Sequence, residues 1–325
     1  MDFQVKVLGI SFVVTLIISI IVIPILKRLK VGQIERDDGP QSHLKKQGTP
    51  TMGGIIMILT SIIVCIGIYI YYLKREPAVA NHLLPMLFLT IGFGLIGFID
   101  DFKKLVLKNT KGLSPTAKMI GLLVISIAYT LYLTNVLNIG TDIYIPFAKI
   151  YISLPIWLYV PLAILVMLSA TNAINLTDGI DGLSSSVTTI ILTALTVIAI
   201  VFDIKEVTIF GSMLAGTCLG FLVFNLYPAK VMMGDTGSLM LGGAVASISL
   251  YLKMPFILLI IAIVPILETL SVIIQVAYFK KTGKRIFKMA PLHHHFELSG
   301  WKENKVVTIF SCITLIACII GVCAV

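Results

Sequence analysis

Apolar residues run along this chain in long stretches separated by short polar loops. The first covers Val7 to Leu26, and comparable stretches recur as far as the C-terminus. A helix that crosses a bilayer needs about 20 mostly apolar residues. On that length the pattern predicts ten spans, near 7–26, 52–72, 84–99, 119–137, 156–174, 184–202, 207–226, 238–252, 256–278 and 305–324. The third and eighth are short. Residues 138–154 alternate around Pro146 and predict a short hairpin outside the membrane. The expected fold is an all-α polytopic membrane protein, a single integral domain over residues 1–325.

Ten spans put five loops on the side reached after the first helix, near 27–51, 100–118, 175–183, 227–237 and 279–304. Nineteen of the 25 lysines and arginines fall in or beside them. The positive-inside rule places those loops in the cytoplasm and both termini and the hairpin on the external, periplasmic side. Composition agrees: 58% of residues are hydrophobic and 13% charged, against roughly 45–50% and 25% in soluble domains. Mean hydropathy is +1.01. The net charge of +9 is explained by the same rule, with no nucleic acid required. The five cysteines lie in apolar segments without a CxxC pair and read as small hydrophobes.

The acids gather on the cation-rich side too, which the rule does not require. Asp100 and Asp101 stand where the third span leaves the membrane, followed by Lys103, Lys104, Lys108, Lys111 and Lys118. Adjacent carboxylates repel, and a divalent cation with phosphate oxygens would offset that repulsion. Asn172, Asn175, Asp178 and Asp181 recur every third residue at the end of the fifth span, with Gly179 and Gly182 beside them. Such a stripe offers groups for a nucleobase, a ribose or metal-bound water. Asn225 precedes Pro228 and the turn Gly234–Asp235–Thr236–Gly237–Ser238, whose following helix presents free N–H groups suited to phosphate. His293, His294 and His295 form a triplet suited to phosphate or sugar contact. Three neighbouring histidines without a nearby cysteine make a poor zinc site. Lys45 and Lys46 precede a rigid turn, Gly48–Thr49–Pro50–Thr51–Met52–Gly53–Gly54. Glu268 lies inside an apolar span and is a functional candidate on that ground alone.

In this order these segments resemble the phospho-N-acetylmuramoyl-pentapeptide transferases, within the polyprenyl-phosphate N-acetylhexosamine-1-phosphate transferase superfamily. DDFKK, NLTDGIDGL and GDTGS are shared across the superfamily, whereas GTPTMGG and PLHHHFE point to the muramoyl-pentapeptide branch. The resemblance implies that UDP-MurNAc-pentapeptide and undecaprenyl phosphate give UMP and lipid I. It also implies Mg2+, ten helices, a homodimer and a bacterial inner membrane with the active site on the cytoplasmic side. Carried over, Asp100, Asp101 and Asp235 are the catalytic acids, with Asp235 and Asn175 toward the metal. Lys46, Thr51, Lys104, Lys118, Asn172, Asn175, Asp178, Asp181, Asn225 and His293–His295 are substrate-binding residues. Met232 departs from the pattern, which has Phe there. A sister transferase using UDP-GlcNAc is the nearest alternative, and GTPTMGG and PLHHHFE argue against it. A transporter should carry its charges along a midplane path. Here every singled-out carboxylate but Glu268 lies to one side.

Overall fold

The computed structural model describes residues 2–29, 48–105, 107 and 112–325. Lys46, Lys108, Lys111 and the acids from Glu35 to Asp38 lie outside the described residues. The elements are α1 (Phe3–Arg28), α2 (Gly54–Leu73), α3 (Pro77–Leu105), α4 (Pro115–Asn135), β1 (Asp142–Ile145), β2 (Ile150–Ser153), α5 (Ile156–Thr177), α6 (Leu183–Val201), α7 (Lys205–Asn225) and α8 (Gly234–Tyr251). A 3-10 turn (Pro255–Ile257), α9 (Leu258–Ile261), α10 (Ile263–Thr282), α11 (Leu292–Glu297) and α12 (Glu303–Cys323) complete the chain.

Among the described residues, nine helices are long and apolar enough to cross a membrane by themselves. The expected span at 238–252 is α8. Its 18 residues extend about 27 Å, but it is too polar to stand against lipid. It does not need to, because every residue from Thr236 to Tyr251 is buried among other helices. Small residues allow that enclosure, as they do in membrane helices generally. A Cβ at Gly242 would lie 2.4 Å from Cα of Thr171 on α5. Many serines and threonines along the spans satisfy themselves on the preceding turn, as Thr171 does on Met167 O at 2.7 Å.

The ninth expected span, 256–278, is broken. Pro265 has no N–H for the carbonyl of Ile261 and its ring crowds that position. The helix therefore ends at Ile261 and restarts at Ile263, and Cys318 Sγ lies 3.7 Å from the freed Ile261 carbonyl. The third span is longer than expected. α3 continues through Asp100 and Asp101, so these residues occupy helical turns and not a loop, and Lys103 and Lys104 favour its C-terminal end.

The expected hairpin is present. β1 and β2 pair antiparallel, Asp142 opposite Ser153 and Ile145 opposite Ile150. Two strands alone are marginal. These are tied to the bundle by Tyr144 N–H on Lys253 O at 2.7 Å and Phe147 N–H on Ala324 O at 2.8 Å. Phe3 stacks on Tyr71, at the far end of α2. Both chain ends and the hairpin thus share one end of the bundle, and the C-terminal end of α3 lies at the other.

Candidate active site

Four chain segments meet where α3 ends. α8 begins beside the last turns of α3 because Gly97 leaves room for it: a Cβ there would lie 2.1 Å from the carbonyl oxygen of Asp235. Gly54 does the same on the other flank, where a Cβ would lie 2.1 Å from the amide nitrogen of Gly237. The Thr51 turn is laced to the approach to α8 by Met232 N–H on Pro50 O at 2.8 Å and Gly53 N–H on Met232 O at 2.9 Å. Thr51 is buried there, its hydroxyl close to Gly234.

The two adjacent acids have different surroundings. Asp101 Oδ2 accepts from the Thr236 amide at 2.9 Å and the Thr236 hydroxyl at 2.7 Å, and Oδ1 from the Asp235 amide at 3.3 Å. It caps α8 from a neighbouring helix, meeting amides that a helix start leaves free. Asp100 Oδ2 accepts from Lys104 at 2.7 Å, and Oδ1 from the Leu113 amide at 2.6 Å. Asp235 Oδ2 accepts from Lys118 at 2.9 Å and Lys104 at 3.2 Å, and Oδ1 from Asn175 at 2.9 Å. Asn175 also donates to Ser238 at 2.8 Å. Lys118 also stands 3.8 Å from Asp100 Oδ2, so Asp100 and Asp235 share two ammonium groups, which offset the repulsion between the two carboxylates.

The other singled-out residues fall into three groups. Asn172 donates to Leu168 O at 2.7 Å on its own helix. Asp181 and Asn225 are buried and hold loops: Asp181 accepts from the Ala229 amide at 2.9 Å, and Asn225 bonds Ser185 at 2.6 Å and Val231 O at 2.9 Å. Met232 is buried beside Asn225. The histidine triplet splits. His293 turns inward to Glu268, His294 meets Glu297 at 3.0 Å, and His295 accepts the Lys288 amide at 3.1 Å. Ser238 and Thr236 were not singled out from sequence. Their place in the GDTGS turn was visible, but the partners they meet are not.

Asp178, just past α5, is the site's least balanced acid. Burial pushes its carboxyl well above the ordinary range, and the charges of Asp235, Asp101 and Asp181 add to that. A carboxyl raised in the folded state binds a proton that the unfolded chain, titrating near about 3.9, has lost. Stability therefore falls as pH rises from that value through the folded one. In buffer free of divalent cations, the unfolding midpoint of Asp178→Asn is expected to fall less from pH 5 to pH 8 than that of the unaltered protein. Parallel thermal unfolding curves test this.

Two apolar grooves lead from the bilayer toward the cluster. One, of about 300 Å³, lies between α5 and the α9–α10 break and reaches Ile174, next to Asn175. The other, of about 790 Å³, lies between α3 and α4 and reaches Ile96, one turn before Asp100.

A profile for glycosyl transferase family 4 matches residues 83–253, which contain all of this cluster. The phospho-N-acetylmuramoyl-pentapeptide-transferase of Acetivibrio thermocellus is 50% identical over 313 residues, 96% of this chain and 92% of that protein. Those of Caldicellulosiruptor bescii and Halalkalibacterium halodurans are 48% and 49% identical, each over 96% of this chain and 94% of the relative. The chain belongs to the phospho-N-acetylmuramoyl-pentapeptide-transferase family. Its membership makes it a transferase, and its helices make it a multi-pass membrane protein. Asp100, Lys104, Lys118, Asn175 and Asp235 are linked to one another by side-chain bonds, while Asp101, Asp181 and Asn225 hold backbone groups at the start of α8 and in the adjoining loops.

Proposed function

We propose that this chain transfers phospho-MurNAc-pentapeptide from UDP-MurNAc-pentapeptide to undecaprenyl phosphate, giving lipid I and UMP in peptidoglycan synthesis. The observation that carries this reading is the meeting of Asp100, Asp235, Lys104, Lys118 and Asn175 at one end of a bundle with apolar grooves that extend to Ile96 and Ile174, residues near that cluster in sequence. A diphosphate donor and a lipid-bound acceptor need that combination of cations, carboxylates and access from the bilayer. The clustering of lysines and arginines in the loops at this end supports a cytoplasmic site in the bacterial inner membrane. A UDP-GlcNAc transferase is not favoured, given what the relatives are named.

The reaction exchanges one phosphoanhydride for another. A lipid-phosphate oxygen attacks the sugar-bearing phosphorus, and the bond from that phosphorus to UMP breaks, UMP leaving with the electron pair. Positioning and charge neutralisation supply most of the catalysis in such transfers. Lys104 and Lys118 already stand between two carboxylates and can turn to phosphate oxygens. Asp100 takes any proton left on the acceptor phosphate. Asp101 is poorly placed as a nucleophile, because its oxygens hold the start of α8. Mg2+ fits the donor set: it takes one or two carboxylates with substrate phosphates and water, for which Asp235 would supply the carboxylate and Asn175, with its amide turned over from the present bond to Asp235, an oxygen. When bound it neutralises charge on the diphosphate.

The test is UMP release by detergent-purified protein with UDP-MurNAc-pentapeptide, a polyprenyl phosphate and Mg2+. Release that requires both lipid and metal supports the reading; release from UDP-GlcNAc alone would move the chain to a sister branch. In the same assay Lys118→Gln is expected to lose about 10²-fold in turnover, the scale for removing one preorganised charge contact.

A further inference from the structure

Glu268 lies within a membrane span and is fully buried. Its Oε1 accepts the His293 amide at 3.2 Å and stands 3.2 Å from His293 Nδ1, while among the described residues neither Oε2 nor either ring nitrogen of His293 has a hydrogen-bond partner. A carboxylate in that setting is costly. Removing such a buried polar contact in favour of apolar side chains of similar volume is often no loss in stability, so stability alone does not account for it. Neither Glu268 nor His293 bonds any member of the Asp100–Lys104–Lys118–Asp235–Asn175 cluster. His293 is 1% exposed.

What His293 does touch is the turn after α5. Its Nε2 lies against Gly179, where a Cβ would come within 2.1 Å of it. Gly179 follows Asp178, which caps the C-terminal end of α5 three residues after Asn175, the residue that donates to Asp235 at 2.9 Å; the charges of Asp235, Asp101 and Asp181 act on its carboxyl. The far end of the same turn is held independently: the Asp181 amide donates to Glu303 at 2.6 Å, and Asp181 accepts from Ala229 at 2.9 Å. His293 is thus the strut under the near end, and Glu268 holds the strut.

We propose that Glu268 is a positioning residue for the transfer reaction, acting through His293 and Gly179 to fix the height of Asp178 over the site. The kinetic part rests on the transferase reading; the mechanical part does not. Two measurements separate them. In the UMP-release assay Glu268→Ala is expected to lower kcat about tenfold or more, the scale for partners that orient a functional group, with the KM for lipid acceptor unchanged. Glu268→Gln keeps an oxygen for the His293 amide and is expected to recover most of the rate. The double variant Glu268→Ala/His293→Ala is expected to be no slower than the slower single variant. Independent losses that multiply, a Gln variant as slow as the Ala variant, or an Ala variant with unaltered kcat would each overturn the proposal. Hydrogen exchange gives the second reading. Glu268→Ala and Glu268→Gln are compared at Gly179–Gly182, and only the Ala variant is expected to exchange faster there than the unaltered protein, with α3 unchanged. Unchanged exchange in the Ala variant overturns the strut whatever the activity. Faster exchange in a protein whose unaltered form releases no UMP keeps the strut and overturns the transferase reading.

Discussion

Asp235→Asn is expected to lower UMP release by about 10³-fold while the protein folds much as before, and Asp101→Ala to lose both activity and stability. The difference follows from what each carboxylate holds. Asp235 receives Lys104, Lys118 and Asn175, all side chains. An Asn there keeps shape and an acceptor but removes the charge that, with Asp100, sets the two ammonium groups. Asp101 receives two backbone amides and the Thr236 hydroxyl at the start of α8. Alanine leaves those donors buried without an acceptor, a loss of about 2 kcal/mol on the scale of helix caps and unsatisfied groups. Turnover and thermal midpoints of the two variants, measured side by side, check this. Equal midpoints with equal loss of turnover would mean that Asp101 acts chemically and not as a cap.

That distinction marks the boundary of what the chain's order of residues reveals. The spans, the hairpin and the grouping of acids with cations follow from apolar length and charge asymmetry, both local properties. DDFKK and GDTGS were legible as chemistry for the same reason. Which of two adjacent acids caps a helix depends on the face of α3 that meets α8, set by the fit of Gly97 against a backbone more than a hundred residues away in sequence. The break at Ala262 was legible in principle from Pro265, but a continuous apolar stretch outweighed it. α8 was a weak span because hydropathy assumes lipid around a helix, and this one has protein around it. The triplet His293–His295 reads as one polar unit, yet its members point to three different partners, which only the packing of α11 on α10 decides.

The largest combined effect is expected at Gly97, which is not in the cluster at all. A methyl group there would sit 2.1 Å from the Asp235 carbonyl oxygen and 2.7 Å from the Thr236 nitrogen. Both are backbone atoms at the start of a fully packed helix, so neither can step aside as a flexible side chain would. α3 and α8 must separate, and Asp101 then loses the amides it caps while Asp100 and Asp235 lose their common pair of lysines. Overpacking of a tight interior costs about 1–3 kcal/mol, and the strained cap adds to it. Gly97→Ala is therefore expected to lower the unfolding midpoint and to abolish UMP release together. Gly67→Ala, where no atom of the described residues beyond its chain neighbours and its own helix backbone lies within 4 Å of the added carbon, is expected to leave activity unchanged without lowering the midpoint and controls for a loss of glycine from a helix. Thermal unfolding and UMP release on the pair decide the matter. A Gly97→Ala protein with an unaltered midpoint and full activity would show that the contact of α3 on α8 is not what holds the acids in place.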